Sequence, residues 1–73
     1  MSVYPVSDLE TTVHPALTIG VRVRYKVPER GGFSLGFGKV TKINRKTLTV
    51  EDEKNGAGAM TVDKSLVFEI IKF

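Results

Sequence analysis

The 73-residue chain has no cysteine, no tryptophan and a single histidine, His14. Without thiolates there is no disulfide framework and no cysteine-bound zinc, the usual supports of a domain below ~70–80 residues. Stability must come instead from backbone pairing, a compact core or oligomerisation, and a reducing, cytoplasmic setting is expected. No apolar run approaches the ~20 residues that a membrane span needs. Met1 to Val6 lack the basic and apolar regions of a secretory signal. No segment carries a helix-length periodicity, and there is neither an internal repeat nor a low-complexity tract. Basic residues are missing from the first twenty positions, where Asp8 and Glu10 give a charge of −2. The remaining positions hold 11 basic and 6 acidic residues, a charge of +5. Such an excess suits a polyanion partner, and it also keeps a small domain dispersed.

Hydrophobic content of 41% with 26% charged residues is that of a globular chain. Residues 1–18 lack sustained periodicity and are interrupted by Pro5 and Pro15, so we expect a mostly irregular, loosely held N-terminal arm followed by one domain over 19–73. From Val21 the pattern sharpens. Val21, Val23, Tyr25 and Val27 alternate with Arg22, Arg24 and Lys26, the period of a strand with one buried and one wet face. Pro28 is expected to end that strand, and Pro28 to Gly36, with Gly31, Gly32 and Gly36, reads as a long loop. A second strand spans Phe37 to Ile43. There Val40 and Ile43 fall out of strict alternation, which predicts a bulge near Thr41 and Lys42. Asn44 to Lys46 is a polar turn leading into a third strand, Thr47 to Glu51. Lys54-Asn55-Gly56 has the chemistry of a tight turn. Ala59 to Val62 is a fourth strand, Asp63 to Leu66 a single helical turn capped by Asp63, and Val67 to Phe73 a fifth strand.

This order predicts an all-β fold, a five-stranded SH3-like small barrel. Within it, Val21 and Val23, the following glycine-bearing loop and Gly38-Lys39-Val40-Thr41-Lys42-Ile43 resemble the KOW motif of ribosomal and transcription-elongation proteins, in the wider Tudor-like group of small barrels. The resemblance covers about residues 19–50. It implies that the loops around the motif contact RNA or a partner protein, which would involve Lys39, Lys42 and the Arg30 to Phe37 loop.

Three groups of residues could bind nucleic acid. Arg22, Arg24 and Lys26 share one side of the first strand at intervals of about 6.5–7 Å, close to the spacing of successive phosphates along one strand. Any solvated sheet face would also carry such a row. Phe33 and Phe37, near Arg30, could stack on bases from a glycine-rich loop, or fold back to plug the barrel end. Lys39, Lys42, Arg45 and Lys46 put four positive charges into eight residues, the densest basic cluster, which a solvated turn also explains.

Enzymatic readings are weaker. His14 has no cysteine or suitably placed serine to form a triad with, and Glu51-Asp52-Glu53 reads as a charged turn. Gly36-x-Gly38 lacks the third glycine of a dinucleotide site, and Gly38-Lys39 lacks the rest of a phosphate-binding loop. The layout of arm and small barrel resembles that of the plasmid-borne type II dihydrofolate reductases. Their catalytic Val-Gln-Ile-Tyr segment, however, has Ala59-Met60-Thr61-Val62 in its place. The expectation is therefore a non-catalytic module with no cofactor and no metal. RNA or DNA would be bound through Arg22, Arg24, Arg30, Phe33, Phe37, Lys39, Lys42, Arg45 and Lys46. A protein-binding adaptor or inhibitor, encoded by a phage or mobile element and acting on transcription or translation machinery, is the alternative. Self-association through Met60, Val62 and Phe73 is compatible with either.

Overall fold

Alternation along the basic strand becomes a two-faced strand, with Val23 and Tyr25 fully buried and Arg24 and Lys26 in solvent. In the computed structural model, which describes residues 1–51 and 58–73, this is β2 (Arg22–Glu29). It lies in a six-stranded antiparallel sheet with β1 (Ser2–Pro5), β3 (Gly32–Ile43), β4 (Thr47–Glu51), β5 (Ala59–Asp63) and β6 (Val67–Lys72). The order across the sheet is β1-β6-β2-β3-β4-β5. The fold is all-β, as the sequence predicts, but with six strands in place of five and, among the described residues, without the closed ladder of the expected small barrel. Among the described residues the sheet is open, with β1 and β5 as its unpaired edges. A radius of gyration of 11.4 Å is close to the ~11 Å of a compact domain of this length, so the strands curl round one core. Where β5 curls over β2, side chains meet instead of a ladder forming: the Tyr25 hydroxyl donates to the Met60 sulfur at 3.7 Å.

The inner face gathers Val23, Tyr25, Val40, Leu48, Val50, Val62, Val67 and Ile70 into one apolar cluster. The bulge expected at Thr41 is present, since the register between β3 and β4 shifts between Val40 and Lys42. The extra residue puts Val40 opposite Val50 and Ile43 opposite Leu48. Val40 is fully buried, whereas Ile43 stays 37% exposed at the strand end.

Two expectations change. The segment Pro28 to Gly36 is no long loop: Glu29 pairs with Gly32, so β2 and β3 join through the two-residue turn Arg30-Gly31. Pro28 fits the ladder opposite Phe33 because β6 accompanies β2 only as far as Tyr25, so beyond that point β2 has one neighbour and an absent N–H costs little. Gly31, at φ 86°, supplies the left-handed turn residue. Gly36 serves packing. It sits opposite Tyr25, and a Cβ there would lie 2.6 Å from Cζ and 2.9 Å from Cδ2 of the Tyr25 ring, and closer still to Cε2.

The N-terminal arm is anchored. Ser2–Pro5 pairs with β6, Val3 lying opposite Ile71 and Tyr4 opposite Ile70. Val6 extends the contact by donating its N–H to the Phe68 carbonyl at 2.9 Å. Leu9 and Ala16 then enter the core. A turn held by the His14 Nδ1, which accepts the Ala16 N–H at 3.1 Å, positions Ala16. The His14 ring also meets that of Tyr4 at 5.7 Å between centroids. Near the other end, Lys64–Leu66 forms the expected single turn, of 3-10 type, but the Asp63 side chain makes no capping bond. The Lys64 N–H is satisfied by the Lys46 carbonyl at 2.9 Å instead. The Asn55-Gly56 turn expected from the sequence lies outside the described residues, as do Asp52 and Glu53.

Candidate nucleic-acid interface on the outer face

Opposite residues on antiparallel strands present their side chains on the same face. The register of β2 and β3 places Arg22 opposite Lys39, Arg24 opposite Phe37, Lys26 opposite Leu35 and Pro28 opposite Phe33. The inward partners are Val23 with Gly38 and Tyr25 with Gly36. The outer face of this hairpin therefore carries two parallel rows about 4.5–5.5 Å apart. One row is cationic, Arg22, Arg24 and Lys26, and the other runs Lys39, Phe37, Leu35 and Phe33.

The apolar row is open to solvent, Phe33 being 61% and Leu35 66% exposed. Phe37 is half-buried. The Lys26 ammonium lies 5.1 Å from the centroid of the Phe33 ring, so cation and ring already share one diagonal contact. At the other end the Arg22 guanidinium sits 4.5 Å from the centroid of the Phe73 ring. Acidic residues flank the rows: Glu69 of β6 is the cross-strand neighbour of Arg24, and Glu51 of β4 that of Lys39. The face is thus cationic along its middle and bordered by carboxylates on both sides.

The structure unites some of the expected site residues and separates others. Arg22, Arg24, Phe37 and Lys39 come together at the open end of the β2–β3 hairpin, away from its turn, with Phe33 near the turn on the same face. Lys42 opposes Thr49 beyond the bulge, on the continuation of that face. Arg30 occupies the hairpin tip, while Arg45 and Lys46 occupy the β3–β4 turn at the opposite end of β3. Twelve residues of strand separate these ends, so the densest basic cluster in the sequence does not converge with Arg30. The Arg45 carbonyl is engaged by the Lys64 ammonium at 3.1 Å, which ties the turn to the 3-10 segment. Neither phenylalanine belongs to a flexible loop, and neither plugs the core. Both lie on β3 because the supposed loop is strand.

Sequence reasoning missed Leu35 and Phe73 as members of this face. Leu35 alternates with Phe33 and Phe37, a signal hidden by reading the segment as loop. Phe73 reaches Arg22 only because β6 pairs with β2. Apart from this face, a cleft of about 220 Å³ lies between the end of β2 and β5, lined by Tyr25, Val27, Pro28, Met60, Val62 and Leu66 among others. No protein-family model matches the chain, and no curated protein or solved structure matches it either.

Proposed function

We propose that the chain is a non-catalytic nucleic-acid-binding module that holds RNA or DNA on the outer face of β2 and β3. The observation that carries this reading is the pairing of Arg24 with Phe37, set between Arg22 opposite Lys39 and Lys26 opposite Leu35. A row of cations beside a row of rings and aliphatic groups offers phosphate and base different contacts on one surface. Arg22, Arg24 and Lys39 take the phosphates, Lys42 extends the track, and Phe37 and Phe33 meet the bases. Arg30, Arg45 and Lys46 lie at the two ends, where they attract a polyanion at longer range without joining the central contact. The SH3-like and KOW-like resemblance of residues 19–50 and a cytoplasmic location belong to the same proposal.

The rival reading is a protein-binding adaptor or inhibitor, and the exposure of Phe33 and Leu35 is the observation in its favour. Salt separates the two, because phosphate contacts release counterions and weaken steeply as salt rises, whereas an apolar protein interface does not. The test is a fluorescence-anisotropy titration of labelled RNA and DNA between about 50 mM and about 200 mM salt. Three phosphate contacts give a log–log slope of roughly −2 to −3. No binding at the lower salt refutes the proposal.

A further inference from the structure

On the outer face, the chemistry of the two rows narrows the ligand. Resting on the function proposed above, we infer that the site takes unpaired, unstacked nucleotides, a single strand lying along β3, and discriminates against duplex. Three observations support this. The first is the position of the exposed groups. Phe33 and Leu35, the most exposed large apolar side chains of β3, follow one another on one face with Phe37 next in line. Alternate residues of a strand are about 6.5–7 Å apart, so the row offers successive apolar platforms. In a duplex, base faces are stacked inside, and reaching them means unstacking each step. A single strand presents them directly.

The second is the lateral offset. Each platform has a cation or proline opposite it on β2, Arg24 beside Phe37, Lys26 beside Leu35 and Pro28 beside Phe33. A backbone following β2 would therefore keep its phosphates on the cationic row while its bases turn over the apolar one. The Lys26 ammonium near the Phe33 ring holds a charge beside a stacking surface. The third is the border. Glu69 and Glu51 flank the central cations on the two adjoining strands. Repulsion from these carboxylates limits the cationic track to about one backbone in width, whereas a duplex brings two.

The test uses the full chain with short labelled oligouridylate and oligothymidylate strands and a duplex hairpin of matched charge, in anisotropy titrations at about 50 mM and about 200 mM salt. Single strands are expected to bind at least tenfold more tightly than the duplex. Phe33→Ala, at an exposed position that leaves the core untouched, is expected to weaken single-strand binding about tenfold, within the range that one stacking contact contributes. Its salt slope and its thermal melt should match the parent chain. Equal binding of duplex and single strand, or no effect of Phe33→Ala, overturns the inference while leaving the nucleic-acid reading standing. Absence of binding to every probe overturns both. Concentration-dependent dimers in sedimentation that disappear in Phe33→Ala, with no nucleic acid bound, would assign the face to a second copy of the chain and overturn both as well.

Discussion

Gly36→Ala is the substitution for which the structure makes the sharpest demand. The Gly36 backbone is not in the left-handed region, so alanine is allowed locally and would reduce the freedom of the unfolded chain, a gain of about 0.4–1 kcal/mol. Against that stands the Tyr25 ring, 1% exposed, with Cζ 2.6 Å and Cδ2 2.9 Å from where the new Cβ must go. The ring has nowhere easy to retreat. It sits among the buried side chains of the core, and its hydroxyl is bonded to Met60 on the far strand. Overpacking of a well-filled core costs typically about 1–3 kcal/mol, so after the backbone gain a net loss of about 1.3 kcal/mol is expected. For a domain of 60–100 residues that lowers the melting temperature by about 5–10 °C. Urea denaturation followed by circular dichroism should show the midpoint falling by about 0.5–1 M with an unchanged slope. The control is the same change in a Tyr25→Leu background, where the aromatic ring is gone and Gly36→Ala should be neutral or slightly stabilising. A penalty of equal size in both backgrounds, or none in the parent, would refute the claim that this glycine exists to accommodate that ring.

Three further outcomes follow from the same geometry. Arg24→Glu combined with Lys39→Glu should remove polyanion binding at physiological salt while leaving the melting temperature within a few degrees, since both side chains are exposed; unchanged affinity in anisotropy would place the site elsewhere. His14→Ala removes the acceptor for the Ala16 N–H and the ring that meets Tyr4. It should cost about 1–2 kcal/mol in chemical denaturation, the scale of a lost hydrogen bond that leaves its partner unsatisfied, and an unchanged midpoint would show the arm to be unimportant for stability. Gly31→Ala, at φ 86°, should destabilise by about 1–2 kcal/mol through left-handed strain, with the loss read in the same assay; a stabilised variant would contradict the turn geometry.

The elements legible in the sequence are those whose pattern is local. Val23 and Tyr25 alternate with charges and could be assigned to a buried face directly, and the misfit between Val40 and Ile43 pointed to the bulge that the β3–β4 register contains. The β2–β3 turn was misread because proline and three glycines within nine residues are ordinary loop chemistry. Two of their roles depend on tertiary partners: Gly36 answers to Tyr25, and Pro28 is tolerated where β6 no longer accompanies β2. β1 was invisible for a related reason. Ser2–Pro5 is short and lies on the surface, and what makes it a strand is the free edge of β6. Of the candidate site, the cations of β2 were legible as a row, but their neighbours were not, because register decides which side chains stand opposite. The basic run from Lys39 to Lys46 reads as one cluster in the linear text, whereas the strand carries its members from the open end of the β2–β3 hairpin, past the bulge, to the β3–β4 turn.

The pairing of β1 with β6 also bears on the order of assembly. Hairpins β2–β3 and β3–β4 close short loops, whereas Ser2 meets Lys72 only after nearly the whole chain has been gathered. Closing longer loops costs more entropy, and contacts distant in sequence slow the search. The meander from β2 to β4 can therefore form early, with β6 docking on β2 next and the four-residue β1 zipping on last. In the native ensemble the sequence runs in reverse. β1 is the first element to fray, and its amide protons should exchange with solvent while those of β2 and β3 are still protected.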